Sequence, residues 1–172
     1  MAVALRATPE RQLRLDDQAA TAALARRLAP LLRRGDLVAL RGDLGCGKTS
    51  FARALITALP PADPGAATDE VPSPTFTLVQ IYDRRPAPVW HFDLYRVQDP
   101  EDVLELGFEE ALAEGICLIE WPERLGPLLP EDRLDLCLDF GASPEARRAR
   151  LEGHGVWAAR LAKLDLDGEP AT

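Results

Sequence analysis

Eight consecutive residues, Gly42-Asp43-Leu44-Gly45-Cys46-Gly47-Lys48-Thr49, follow the pattern GxxxxGK[ST]. Each fixed position has a chemical reason. Glycines let backbone N–H groups turn inward around phosphate oxygens, and the N-terminus of a following helix adds positive potential. The lysine neutralises the outer phosphates and the threonine hydroxyl ligates Mg²⁺. Asp43, Leu44, Gly45, Cys46, Gly47, Lys48, Thr49 and the next residue, Ser50, are therefore candidate contacts for a nucleoside triphosphate, with Thr49 on the metal. Of the 20 cationic side chains only Lys48 and Lys163 are lysine, so Lys48 stands where this chain otherwise writes arginine.

Such a site also needs an acidic residue at the end of a neighbouring strand, to hold the metal and position water. Asp93 closes the apolar run Val89-Trp90-His91-Phe92, and Glu120 closes Ile116-Cys117-Leu118-Ile119. Either can present a carboxylate beside the phosphates, or be a solvated strand-end acid. Trp121 stands where the chain leaves the strand, as a ring for a nucleotide or partner or as core packing. His91, a lone histidine on a strand, reads as structural, and Arg147, Arg148 and Arg150 read as the cover of a solvated strand.

The elements that must hold these residues follow from apolar spacing. Gln12–Leu15 reads as a strand, then a helix capped by Asp16 or Asp17 runs to about Leu32. Leu37–Leu40 is a buried strand that enters the glycine-rich segment, and Ser50–Leu59 has helical spacing. The stretch from Pro60 to Pro74, with five prolines and one glycine, is a long loop. Thr77–Tyr82 and Val89–Phe92 form a hairpin, because their connection is too short for a crossover. Two helical pieces broken at Gly107 lead to the strand Ile116–Ile119. Arg133–Phe140 and Ala146–Glu152 make a second hairpin, followed by a helix over Val156–Leu164. The fold class is α/β with a mixed sheet, in one domain spanning 1–172, with 1–10 and 166–172 expected as flexible ends.

Four ordered segments together resemble one family: the glycine-rich loop 42–49, Ser73-Pro74-Thr75-Phe76-Thr77-Leu78, His91-Phe92-Asp93-Leu94-Tyr95-Arg96 and Ile119-Glu120-Trp121-Pro122-Glu123. The resemblance, which spans about residues 12–164, is to the bacterial TsaE (YjeE) family, the ATPase of tRNA threonylcarbamoyladenosine synthesis. It implies a P-loop NTPase fold with parallel strands at the sheet centre, ATP and Mg²⁺ as ligands, and a complex with the TsaB and TsaD proteins. By motif, Lys48 and Thr49 serve phosphate and Mg²⁺, and Asp93 serves the metal site. Glu120 holds metal or orients water, which makes Lys48 and Glu120 the catalytic pair. Trp121 is functionally required, and Thr75 resembles a switch residue that senses the γ-phosphate. The Pro60–Val71 stretch is longer and richer in proline than the family pattern.

Bulk composition bounds the partners. A chain of 172 residues buries about 70% of its unfolded surface in one core, and 47% hydrophobic with 28% charged residues is ordinary for a globular domain. A net charge of -8 argues against direct grip on nucleic acid, so tRNA is expected to arrive through partners. No apolar run suits a signal peptide or membrane span, and three cysteines without CxxC spacing fit a reduced cytoplasmic setting. A monomer is expected in isolation. The leading function is a slow, partner-dependent ATPase. Its alternatives are a small-molecule kinase, for which Arg84, Arg85 and Arg96 would supply the lid, and a non-hydrolytic nucleotide switch. With no Asn in the chain there is no NKxD motif for guanine, which disfavours GTP.

Overall fold

Three runs in the sequence are apolar without alternation, and all three become parallel strands buried on both faces: β2 (Leu37–Arg41), β4 (Val89–Asp93) and β5 (Ile116–Glu120). The computed structural model describes residues 8–65 and 70–166. The remaining elements are β1 (Glu10–Leu15), α1 (Gln18–Leu28), α2 (Lys48–Ala58), β3 (Val79–Tyr82), α3 (Asp102–Glu105), α4 (Phe108–Glu114), β6 (Arg133–Phe140), β7 (Arg147–His154) and α5 (Val156–Ala162). Among the described residues one sheet runs β1-β7-β6-β2-β5-β4-β3. Its centre, β6-β2-β5-β4, is parallel, and the hairpins β3/β4 and β6/β7 and the pair β1/β7 are antiparallel. This is the mixed α/β sheet that the patterning leads one to expect.

Two apolar layers cover the sheet. One packs α1, α2 and α5 against Val38, Leu40, Val89, Ile116 and Leu118, and includes the fully buried Phe51 and Trp157. The other sets Phe108 and Ala111 of α4 against Leu37, Ala39, Trp90, Phe92, Cys117 and Ile119. Because strand side chains alternate, Val89, His91 and Asp93 share the α2 side of β4 while Trp90 and Phe92 take the other.

Several expected boundaries shift, each for a local reason. Asp17 is the cap of α1, its carboxylate accepting from the Ala20 N–H at 2.8 Å. That helix ends at Leu28 rather than near Leu32, because Pro30 has no N–H to give the preceding turn, and a 3-10 turn over Ala29–Leu31 replaces it. The strand expected from Thr77 begins at Val79. The Leu78 N–H is drawn back to the Pro74 carbonyl at 2.7 Å, and Leu78 itself is left-handed at φ 66°. The break at Gly107 is present, at φ 85°. A 3-10 segment, Pro122–Leu128, follows β5 where no element was expected. The ends expected to be flexible lie mostly outside the described residues, as do 66–69 of the proline-rich loop, but Glu10 already belongs to β1.

Gly42, where β2 hands over to the loop, is the tightest point of the fold near the site. At φ 137°, an added Cβ would lie 2.3 Å from the Leu138 carbonyl oxygen and 2.6 Å from Cys46 Sγ. Gly42→Ala is expected to lower stability by about 3 kcal/mol, or roughly 10 °C in Tm, measurable by thermal unfolding.

Candidate nucleotide site

Helix α2 starts at Lys48, directly after three glycines with positive φ: Gly42 at 137°, Gly45 at 78° and Gly47 at 107°. These angles bend residues 42–47 into a tight loop at the N-terminus of an 11-residue helix, closed by the Cys46 N–H donating to the Asp43 carbonyl at 3.1 Å. Lys48 is 4% exposed. Its ammonium donates to the carbonyls of Gly42 at 2.7 Å and Asp43 at 2.9 Å, and lies 4.0 Å from the centroid of the Trp121 ring. The loop thus presents a fixed positive charge at a concave surface. Arg147 braces it from behind: its Nε donates to the Cys46 carbonyl at 2.7 Å, and its guanidinium stacks over Phe140.

The acidic half of the site comes from the strand ends. The register pairs Asp93 with Glu120, so the two carboxylates stand side by side, only 5% and 3% exposed. Thr49 donates its hydroxyl hydrogen to the Glu120 carboxylate, with Oγ1 2.9 Å from Oε1 and 3.0 Å from Oε2. Asp93 accepts from the Thr75 hydroxyl at 3.1 Å on Oδ2 and from the Tyr95 N–H at 3.1 Å on Oδ1. Two adjacent buried carboxylates repel one another unless a cation lies between them. Two carboxylates and an aliphatic hydroxyl are hard oxygen donors, which fit Mg²⁺. Thr49, Asp93 and Glu120 are the residues that would hold it.

Between the two halves lies a cavity of about 320 Å³, lined by Leu44, Gly45, Gly47, Lys48, Thr49 and Ser50 from the loop and by Thr75, Asp93, Glu120 and Trp121 opposite. Asp43 and Cys46 do not line the cavity: the Asp43 carbonyl accepts from Lys48 Nζ and from the Cys46 N–H, and the Cys46 side chain is buried. The Trp121 ring lies over Lys48 and 4.9 Å from the Tyr95 ring, at a backbone φ of 61° that turns the chain sharply out of β5. Trp121 therefore belongs to the site wall, although its edge also packs on the second apolar layer. Arg96 also lines the cavity. Arg84 and Arg85 donate to the backbone carbonyls of Ile56 and Ala62 and do not line this cavity.

Two residues read from the sequence as structural have partners here. His91, fully buried, places Nε2 2.8 Å from Glu120 Oε1. Its spacing from Asp93 was the available signal, since residues two apart on a strand share a face. Arg147 was expected on a solvated strand with Arg148 and Arg150, and no local spacing links it to a loop 101 residues away.

The cysteines give a pH-dependent prediction. Burial pushes the Cys117 thiol up to about 12 from an ordinary 9.0. Burial also raises Cys46 and Cys137, offset in part by Lys48 and Arg150 respectively. A thiol whose pKa is raised by folding stabilises fully below its unfolded value, and that contribution is lost as pH rises toward the folded one. Stability should therefore fall between pH 9 and 12, and Cys117→Ala should flatten that fall in a Tm-versus-pH series. At pH 8, a disulfide reagent should titrate Cys137 first and reach all three thiols only in denaturant.

A central strand running into a glycine-rich loop and helix, with two buried carboxylates at the ends of the next two parallel strands, defines an α/β protein with a mixed sheet. Residues 15–149 match the family model described as "Threonylcarbamoyl adenosine biosynthesis protein TsaE". The tRNA threonylcarbamoyladenosine biosynthesis protein TsaE of Rickettsia felis is 42% identical over 125 residues, 73% of this chain and 70% of that one. The protein of the same name from Bacillus subtilis is 35% identical over 126 residues, 73% of this chain and 75% of that one. A crystal structure of YdiB from Bacillus subtilis superposes with a TM-score of 0.73 at 26% identity, covering 91% of this chain and 93% of that one. The chain belongs to the TsaE family of tRNA threonylcarbamoyladenosine biosynthesis. Among the described residues no helix is long and apolar enough to cross a membrane.

Proposed function

We propose that the chain is a Mg²⁺-dependent ATP-binding protein with weak ATPase activity, acting in the cytoplasm on a TsaB–TsaD complex in tRNA threonylcarbamoyladenosine modification. The observation that carries the reading is the buried Lys48 in its glycine ring, facing Thr49 bonded to Glu120 across one cavity. The amides of the glycine-rich loop and Lys48 bind the β- and γ-phosphates, and Ser50, in the first turn of α2, meets the next phosphate. Thr49, Asp93 and Glu120 hold the metal, which when bound neutralises charge on the phosphate oxygens. Glu120 has a second task, to orient a water for in-line attack on the γ-phosphate. Trp121 and Tyr95 form an apolar wall that limits solvent at that end. Thr75, hydrogen-bonded to Asp93, links the 73–78 segment to the metal end and makes it the γ-phosphate sensor.

Slow turnover in isolation fits a cavity that, among the described residues, is lined by the cations Lys48 and Arg96 while Arg84 and Arg85 donate to backbone carbonyls elsewhere. The acidic net charge of -8 supports contact with tRNA through partners, and the isolated chain is taken as a monomer. The test is calorimetric titration with Mg·ATP, then phosphate release measured alone and with TsaB and TsaD from the same source. Expected are micromolar binding and hydrolysis stimulated by the partners. Absence of Mg·ATP binding would end the proposal, and transfer of phosphate to a metabolite faster than to water would favour a kinase.

A further inference from the structure

His91 lies on the α2 side of β4, between Val89 and Asp93, where its strand neighbour across the register is Leu118. It is fully buried beside the apolar layer that holds Val89 and Leu118. A histidine there gives up hydration of two ring nitrogens. It recovers one hydrogen bond, Nε2 to Glu120 Oε1 at 2.8 Å, and Nδ1 has no partner among the described residues. A phenylalanine or leucine would fill the same space without that penalty. The neighbouring carboxylate accepts only, so Nε2 carries the hydrogen and Nδ1 presents a bare lone pair.

What the imidazole does for Glu120 is specific. A glutamate has three rotatable bonds, and the Thr49 hydroxyl, a single donor near both oxygens, leaves the carboxylate able to swing. A second donor arriving from the strand floor fixes Oε1 and turns the remaining lone pairs toward the cavity. We propose that His91 is a positioning residue: its Nε2–H holds the Glu120 carboxylate in the orientation that receives the metal and the attacking water. This rests on the hydrolytic reading above and extends it to a buried residue that stands behind Glu120 and does not line the cavity.

The test uses His91→Phe, which keeps the ring and removes the donor, beside His91→Gln, whose amide nitrogen can reach the Nε2 position. Expected for His91→Phe is a Tm within a few degrees of wild type, an unchanged KM for ATP, and kcat reduced about 10- to 100-fold. Mn²⁺ affinity of the nucleotide complex, read by EPR, should weaken several-fold. His91→Gln should restore most of both. Equal kcat in His91→Phe and wild type, or a loss of kcat that His91→Gln does not relieve while its Tm is intact, overturns the proposal. A crystal structure of nucleotide-free His91→Phe decides the matter without any turnover. The Glu120 carboxylate should rotate out of its wild-type orientation, and its staying in place refutes the positioning role. If wild type neither binds nor hydrolyses ATP, the functional reading fails on its own, and the crystal structure of His91→Phe still shows whether His91 holds the carboxylate.

Discussion

Lys48→Ala should weaken Mg·ATP binding by at least about 100-fold. The lysine supplies charge-assisted hydrogen bonds from an almost fully buried position, and about 3 kcal/mol lost from such contacts corresponds to a hundredfold in Kd. Its replacement by arginine should rescue little. The ammonium sits 2.7 Å from one carbonyl and 2.9 Å from another, with the Trp121 ring 4.0 Å away. A planar guanidinium does not fit a cage built for a compact ammonium, even in a chain that uses arginine almost everywhere else. Far-UV circular dichroism should stay unchanged in both variants, since the lost bonds run from the Lys48 side chain to carbonyls of a loop and belong to no helix or strand ladder. Calorimetric titration is the deciding measurement, and wild-type affinity in Lys48→Ala would remove the glycine ring from any role in phosphate binding.

The second large effect is expected at Glu120, with a different signature. Glu120→Gln keeps the shape and can still accept from Thr49, but it removes the negative charge next to Asp93 and, with it, the carboxylate proposed to orient water. ATP should bind within a few-fold of wild type, while phosphate release falls about 100- to 1,000-fold with and without partners. If partner-dependent tRNA modification survives that loss intact, the nucleotide acts as a conformational switch and hydrolysis is incidental. The contrast between Lys48 and Glu120 separates phosphate grip from turnover.

Much of this arrangement is legible in the residues. The apolar runs Leu37–Leu40, Val89–Phe92 and Ile116–Ile119 mark buried strands and place Asp93 and Glu120 at strand ends, while the parallel centre is implied by the family resemblance and not by these runs. The alternation in Arg133–Phe140 likewise marks the outer hairpin. What escapes is set across the register or by backbone angle. His91 gains its partner from β5, 29 residues on, and Arg147 reaches Cys46 from the last hairpin. Leu78 and Trp121 adopt left-handed angles that no glycine announces, which hides the late start of β3 and the 3-10 segment after β5.

The glycine ring is written by residues 42–49, yet the atoms that hold it in shape come from far later in the chain. Gly42 packs against the Leu138 carbonyl, and Cys46 is tied to Arg147 on a strand that also pairs with β1. During synthesis the ribosome releases the complete motif long before its supports exist. A nascent chain that stops after Glu123 carries every motif residue and lacks the brace, and competence for nucleotide should appear only once the final hairpin closes the sheet.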